Sequence, residues 1–197
     1  LPVDKIQSGA ERLIKGLSPQ GLGMAAEAIM TTDAFPKSSA MKADIGGKTV
    51  TVSGIAKGAV MICPDMATML AFFMTDANIK APALKAALRE SVENTFNSIM
   101  VDNDTSTNDT VLVLANGFCK GPEIKKNGPH YRAFTGLLTD TAKRLAHMVV
   151  EDGEGATKFI EIEVGGAASG KEAKAAARAV GKSMLVKSAF FGGDLAG

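Results

Sequence analysis

Thr68 is the residue whose type and position suit covalent chemistry. It lies within "MATMLAFF", at the start of an apolar run. Val would suit a strand there as well as Thr does, so packing alone does not call for a hydroxyl. A Thr hydroxyl becomes a useful nucleophile when a base lies beside it. The simplest such base is the residue's own α-amine, which titrates at about 7.7–8.0. This chemistry requires cleavage of the Ala67–Thr68 bond.

The neighbouring residues favour such a cleavage. The small side chain of Ala67 leaves the scissile carbonyl open to attack by the Thr68 hydroxyl. Gly58 and Pro64 allow the preceding segment to turn sharply, and "MLAFF" predicts a rigid strand that would hold the nucleophile. On spacing alone, a Thr that merely packs at a strand end is the commoner case, so both interpretations stand at this point.

Composition limits the classes of protein. The 197 residues are 46% hydrophobic and 22% charged with a net charge of +1, which is typical of a globular protein without a nucleic-acid or membrane surface. Two distant cysteines, Cys63 and Cys119, indicate free thiols in a reducing compartment, so we expect a cytoplasmic protein. "LPVDKIQSGA" does not resemble a signal peptide. Because no initiator Met is present, we expect a processed product or part of a longer chain.

Metal and phosphate motifs are incomplete. Asp102 and Asp104 begin like a calcium loop, but Thr107 replaces its Gly and Val113 its final Glu. "GGKT" and "GKS" lack the earlier Gly of a phosphate-binding loop.

The two histidines also predict no metal site. His130 and His147 have no ligand partners at zinc spacing, and His147 is expected on a helix face. Because triads are assembled in space, spacing does not exclude a Ser-His-Asp arrangement.

Hydrophobic periodicity predicts an α/β fold. Helical spacing covers residues 6–17, 22–30, 82–96 and 137–150 and "KEAKAAARAV". "SSAMKADI" and "KTVTVSGIA" around Gly46-Gly47 predict an antiparallel hairpin. Further strands are predicted at "TMLAFFMTD", "TVLVLA" and "KFIEIEV".

Five segments in order give a family resemblance. "AIMTTDAFPK", "KGAVMICPDMATMLAFFMTDA", "VDNDTSTNDTVLVLANG", "GEGATKFIE" and "LVKSAFFG" resemble the ornithine acetyltransferase (glutamate N-acetyltransferase) family of arginine biosynthesis. The resemblance implies a sandwich-like, self-processing N-terminal-nucleophile acetyltransferase fold. It also implies that the chain is the central part of one acetyltransferase, with 1–67 ending the α-chain portion and 68–197 starting the β-chain portion.

The resemblance also implies roles for single residues. Thr68 matches the nucleophile that carries the acetyl group, and Lys57 matches a substrate-binding cation rather than a solvated strand-end Lys. Thr31 matches a substrate-contacting hydroxyl, and Thr32 is the alternative residue for that role. The non-functional interpretation is that both are simply polar residues at the C-terminal end of a helix. Glu154 matches an acidic residue that contacts a substrate amino group. The alternative is that it is an ordinary glutamate of a surface loop. The "DNDTSTND" loop is expected to be scaffolding.

The implied activity is ping-pong acetyl transfer from N2-acetylornithine to glutamate. Members differ in whether they also use acetyl-CoA, and no cofactor or metal is implied. The α and β chains of such a precursor are expected to form an α2β2 heterotetramer. Alternatives are a self-processing hydrolase or aminopeptidase, which usually has a Ser nucleophile, and a non-catalytic fragment.

The chain departs from the family pattern in two ways. Gly58-Ala59-Val60 replaces Gly-Ser-Gly, and Cys63-Pro64-Asp65 replaces His-Pro-Asn, both near the cleavage point. The family's oxyanion-hole Thr-Gly pair and its C-terminal substrate contacts are expected outside this sequence. Loss of an oxyanion donor costs about 10²–10³ in rate, so activity is expected of the whole protein rather than of this chain alone.

Overall fold

Within the part of the chain that the structure describes, two helices precede a run of three strands, and the fourth strand lies between two further helices, so helices and one sheet build the chain and the predicted α/β class is confirmed. The structure, a computed structural model, describes residues 2–63, 69–104, 106 and 108–193. The helices are α1 (Val3–Lys15), α2 (Gly21–Ala28), α3 (Ala81–Glu93), α4 (Tyr131–Glu151), α5 (Gly170–Lys182) and α6 (Met184–Gly192), with a 3₁₀ turn at Phe96–Ser98. The strands are β1 (Lys37–Asp44), β2 (Thr49–Lys57), β3 (Leu70–Thr75) and β4 (Thr110–Ala115). None of the described helices has the length and apolar character that crossing a bilayer requires.

The four described strands form one mixed sheet in the order β1-β2-β3-β4. β1 and β2 form the predicted antiparallel hairpin, with Lys37 opposite Ala56. Gly46 and Gly47 connect these strands with φ angles of 65° and 76°, which L side chains rarely adopt. β2 and β3 are antiparallel, and β3 and β4 are parallel, joined by a crossover that contains α3.

The core lies between the sheet and two helices. α3 packs on α4, and α4 covers β1 and β2. Because 3.6 residues complete a helical turn, residues three or four positions apart share the buried face of α4. Those buried on α4 are Tyr131, Phe134, Leu137, Leu138, Thr141, Ala142, Leu145, Ala146 and Val149. Gly54 of β2 lies so close to the Phe73 ring that an added Cβ would be 2.7 Å from it, so this strand position has room only for Gly.

Two sequence predictions differ from the structure. "KFIEIEV" was expected to be a strand, but residues 156–165 are neither strand nor helix, and most of their side chains are exposed. Alternation alone does not make a strand; the backbone also needs a partner, and no described strand lies beside this segment. α4 begins at Tyr131 rather than Leu137, because Tyr131 and Phe134 are buried and extend its apolar face. The sequence patterns did not predict α6.

Candidate active site

One end of the sheet gathers the segments that carry the predicted site. β2 ends at Lys57, which lies opposite Leu70, and Leu70 lies opposite Thr110. Because β3 and β4 are parallel, the segments leading into them reach the same edge, beside the end of β2. The residues that directly precede these strands are therefore neighbours: Met69 N–H donates to Asp109 Oδ1 at 2.8 Å.

Lys57 is a buried cation whose hydrogen-bond partner is a hydroxyl. The residue is 8% exposed, and its Nζ donates to Thr31 Oγ1 at 3.4 Å. In the part of the chain that the structure describes, no carboxylate lies within ion-pair distance of Lys57. Burying an ammonium without a counter-ion costs on the order of several kcal/mol. Since Thr31 is exposed, the pair offers a cation and a hydroxyl next to solvent, an arrangement that suits a ligand carboxylate.

Two aspartates of the "DNDTSTND" loop hold the backbone on both sides of residues 64–68. Upstream, Asp102 accepts hydrogen bonds from the N–H groups of Met61 and Ile62 at 2.5 and 3.0 Å. Downstream, Asp109 accepts from Met69 at 2.8 Å. These contacts agree with the expected scaffolding role of the loop.

The Asp109 carboxyl lies in an unusual environment. Burial raises its pKa above the ordinary value, and the Met69 N–H and the charge of Lys57 offset part of that shift. Ala67 and Thr68, the predicted cleavage pair, lie outside the described residues. The cleavage and the nucleophile therefore stay predictions.

Asp33, Lys37 and Asp152 form a buried ionic cluster that sequence reasoning missed. Lys37 Nζ donates to Asp33 Oδ1 at 2.7 Å and to Asp152 Oδ2 at 2.5 Å, and no side chain of the three is more than 4% exposed. Burial raises the pKa of Asp33, but hydrogen bonds from Lys37 and from the Gly58 and Thr31 N–H groups outweigh it, leaving this pKa below its usual value.

Glu154 lies in the turn after α4 and is exposed. Its N–H donates to the Ala59 carbonyl at 3.3 Å, which ties this turn to the segment after β2. Glu154 also borders a cavity of about 850 Å³ lined by residues of α4, α5 and α6, which Thr31 and Lys57 do not line. The structure thus brings Thr31 and Lys57 into contact, and it links Glu154 to the segment after Lys57 through a backbone hydrogen bond. The role of the Glu154 side chain stays a prediction.

The histidines considered as metal ligands do not converge on other ligands. Within residues 2–63, 69–104, 106 and 108–193, no three His, Cys, Asp or Glu side chains are grouped as metal ligands would be. His147 packs against Phe159 with ring centroids 4.9 Å apart, as expected of a helix-face histidine.

These features define an α/β protein in which a buried lysine, a hydroxyl and aspartate-bound loops meet at one end of a mixed sheet. The chain belongs to the ArgJ family, whose model matches residues 1–196, and this confirms the resemblance found in the sequence. It is 54% identical over 194 residues to the arginine biosynthesis bifunctional protein ArgJ of Symbiobacterium thermophilum, covering 98% of this chain and 48% of that protein. The mitochondrial protein of that name from Schizosaccharomyces pombe is 49% identical over 196 residues, covering 98% of this chain and 44% of its own length.

A solved structure gives the same result for the fold. The crystal structure of arginine biosynthesis bifunctional protein argJ from Bacillus halodurans superposes with a TM-score of 0.61 at 44% identity. The superposition covers 63% of this chain and 58% of that one. The chain spans about half the length of the curated relatives it matches.

Proposed function

We propose that the whole protein transfers an acetyl group from N2-acetylornithine to glutamate through an acetyl-Thr68 ester, after self-cleavage between Ala67 and Thr68. Membership of a family whose relatives are named arginine biosynthesis bifunctional proteins supports this proposal. The observation that carries it is the buried Lys57 ammonium, paired with Thr31 at the sheet end where the chain enters β3.

The proposed transfer has two balanced steps. The Thr68 hydroxyl attacks the acetyl carbonyl of acetylornithine, the Thr68 α-amine takes the hydroxyl proton, and the C–N bond breaks as the ornithine amine leaves with that proton. The neutral amine of glutamate then attacks the ester, the Thr68 α-amine takes a proton from it and passes that proton to Thr68 Oγ, and the C–O bond breaks to release N-acetylglutamate. Lys57 and Thr31 bind a substrate carboxylate, and Glu154 receives a substrate ammonium. Acetyl-CoA is a second candidate donor, and an α2β2 assembly of the cleaved chains is the proposed state.

The test is a kinetic one on the full-length enzyme. When acetylornithine and glutamate are varied together, ping-pong transfer gives parallel double-reciprocal lines. Incubation with acetylornithine alone should add one acetyl mass, labile to hydroxylamine, to the peptide that begins at Thr68. Intersecting lines without an adduct would mean direct transfer in a ternary complex and would remove Thr68 as acetyl carrier.

The loop contacts lead to a prediction about processing. Asp109→Ala in the full-length protein removes the acceptor of the Met69 N–H, one residue after Thr68. Because misplacement of a reacting group by about 1 Å can cost roughly 10²-fold, we expect cleavage to slow by about tenfold to a hundredfold. The measurement is a time course of intact mass after synthesis. Asp104→Ala, in the same loop, is the matched control, because Asp104 is exposed and its side chain accepts no hydrogen bond among the described residues. Equal cleavage rates in the two variants would contradict the prediction.

A further inference from the structure

The ionic cluster of Asp33, Lys37 and Asp152 touches the backbone of the segments that carry the predicted binding residues. Asp33 Oδ2 accepts from the Thr31 N–H at 3.1 Å, and Asp33 Oδ1 accepts from the Gly58 N–H, directly after Lys57, at 2.7 Å. The cluster therefore fixes the backbone on both sides of the Thr31–Lys57 hydrogen bond.

The other end of the cluster reaches the turn that carries Glu154. Asp152 accepts from the Ala34 N–H with both carboxylate oxygens, at 3.1 and 3.0 Å. It is the residue that follows α4 and lies two positions before Glu154. The Lys37 ammonium joins Asp152 to Asp33, so this turn is tied to the Thr31 segment twice, through Lys37 and through the Ala34 N–H.

Stability alone is a weak reason for such a cluster. A buried ion pair often stabilises a fold no more than apolar side chains of the same volume would. Here two carboxylates share one ammonium, and the excess negative charge is met by three backbone N–H groups, of Thr31, Ala34 and Gly58. Hydrogen bonds to charged groups are short and directional, so the arrangement specifies the geometry of these three segments.

We propose that the ionic cluster is a positioning device, which sets the separation between the Thr31–Lys57 pair and the Glu154 turn so that one substrate is held at its carboxylate and its ammonium together. This inference rests on the proposed function, because the substrate contacts come from it. Asp152 is a positioning residue that acts through Glu154, whereas Asp33 and Lys37 act through Thr31 and Lys57, and none of the three acts on the substrate itself.

A double-mutant cycle in the full-length enzyme tests this coupling. Glu154→Gln removes the charge that would meet the substrate ammonium, and Asp152→Asn weakens the attachment of its turn to Lys37. Each single variant is expected to lower kcat/KM by about tenfold to a hundredfold, the scale of a misplaced contact. If Asp152 acts through Glu154, the double variant should lie within about threefold of Glu154→Gln alone, because residues that act as one unit are not additive.

Matched variants separate positioning from folding. Thr141→Ala removes the hydroxyl and the methyl group of a fully buried side chain in α4, eleven residues before Asp152, and leaves a cavity. It should lower the Tm and leave kcat/KM unchanged. Asp152→Glu keeps the charge and lengthens the side chain by one methylene, so it provides the cycle if Asp152→Asn does not fold. Asp152→Glu should also reduce kcat/KM in the parent, but it should cause no further reduction when Glu154→Gln is already present.

The outcomes are distinct. Multiplying effects of Asp152 and Glu154 substitutions, or an Asp152 variant with a lower Tm and parental kcat/KM, would overturn the positioning role and leave the acetyl transfer standing. A parental full-length protein that transfers no acetyl group from acetylornithine to glutamate would overturn the proposed function and the positioning role with it. A non-additive loss of kcat/KM at Asp152, which Thr141→Ala does not show, supports the proposal.

Discussion

Full-length protein carrying Thr68→Ala is expected to remain a single uncleaved chain and to transfer no acetyl group. Without the hydroxyl nothing attacks the Ala67 carbonyl, and the amine that would serve as base is never released. Removal of a covalent nucleophile has cost on the order of 10⁶ in kcat in other enzymes, so we expect a loss of that scale. Intact mass measures the cleavage, and formation of N-acetylglutamate from acetylornithine and glutamate measures the transfer.

Thr68→Ser is the control for this substitution. It keeps a hydroxyl and an α-amine at the same position, so the bond after residue 67 should still break and part of the transfer should remain. A Thr68→Ala protein that is cut at this same bond would show that another group performs the cleavage.

Much of the fold could be predicted because its elements have local signals. The Gly46-Gly47 connection predicted the β1–β2 hairpin, since both residues adopt positive φ angles that favour Gly. Pro82 near the start of α3 marked a helix beginning that the structure confirms. The alternating residues 158–164 gave a wrong strand prediction. Such a pattern shows which side chains would share a face, but it does not show whether a partner strand lies alongside.

The candidate site was less predictable, because tertiary contacts assemble it. Resemblance alone pointed to Thr31 and Lys57, which are 26 residues apart in the chain yet form a hydrogen bond. Asp33 and Lys37 are four residues apart, but they lie in a loop and at the start of β1 rather than in a helix, so their spacing gave no sign of an ion pair. Asp152, the third member of the ionic cluster, is 115 residues from Lys37, and no local pattern connects them.

The two buried lysines lead to opposite expectations, and together they test what Lys57 is for. Lys37 has two carboxylate partners, so Lys37→Met leaves two buried anions unpaired and should lower the free energy of unfolding by about 3–5 kcal/mol. Lys57 has only the Thr31 hydroxyl among the described residues. Lys57→Met therefore removes a desolvated charge and should leave the free energy of unfolding unchanged or higher. Urea denaturation of the full-length variants measures both.

Although Lys57→Met should not destabilise the protein, it should strongly reduce the activity. Losing a buried charge contact to the substrate carboxylate typically costs about 2–5 kcal/mol, so Lys57→Met should lower kcat/KM for acetylornithine by about 30-fold to 5,000-fold. An acetylornithine analogue without its α-carboxylate identifies the contact. Its kcat/KM should be low in the parent enzyme and should fall little further in Lys57→Met. A Lys57→Met protein that is as destabilised as Lys37→Met, with parental kinetics once folded, would make Lys57 a structural lysine. Only a binding role predicts that Lys57→Met stays stable and yet no longer prefers acetylornithine to the analogue. A lysine that only stabilises the fold would not affect the preference between these two substrates.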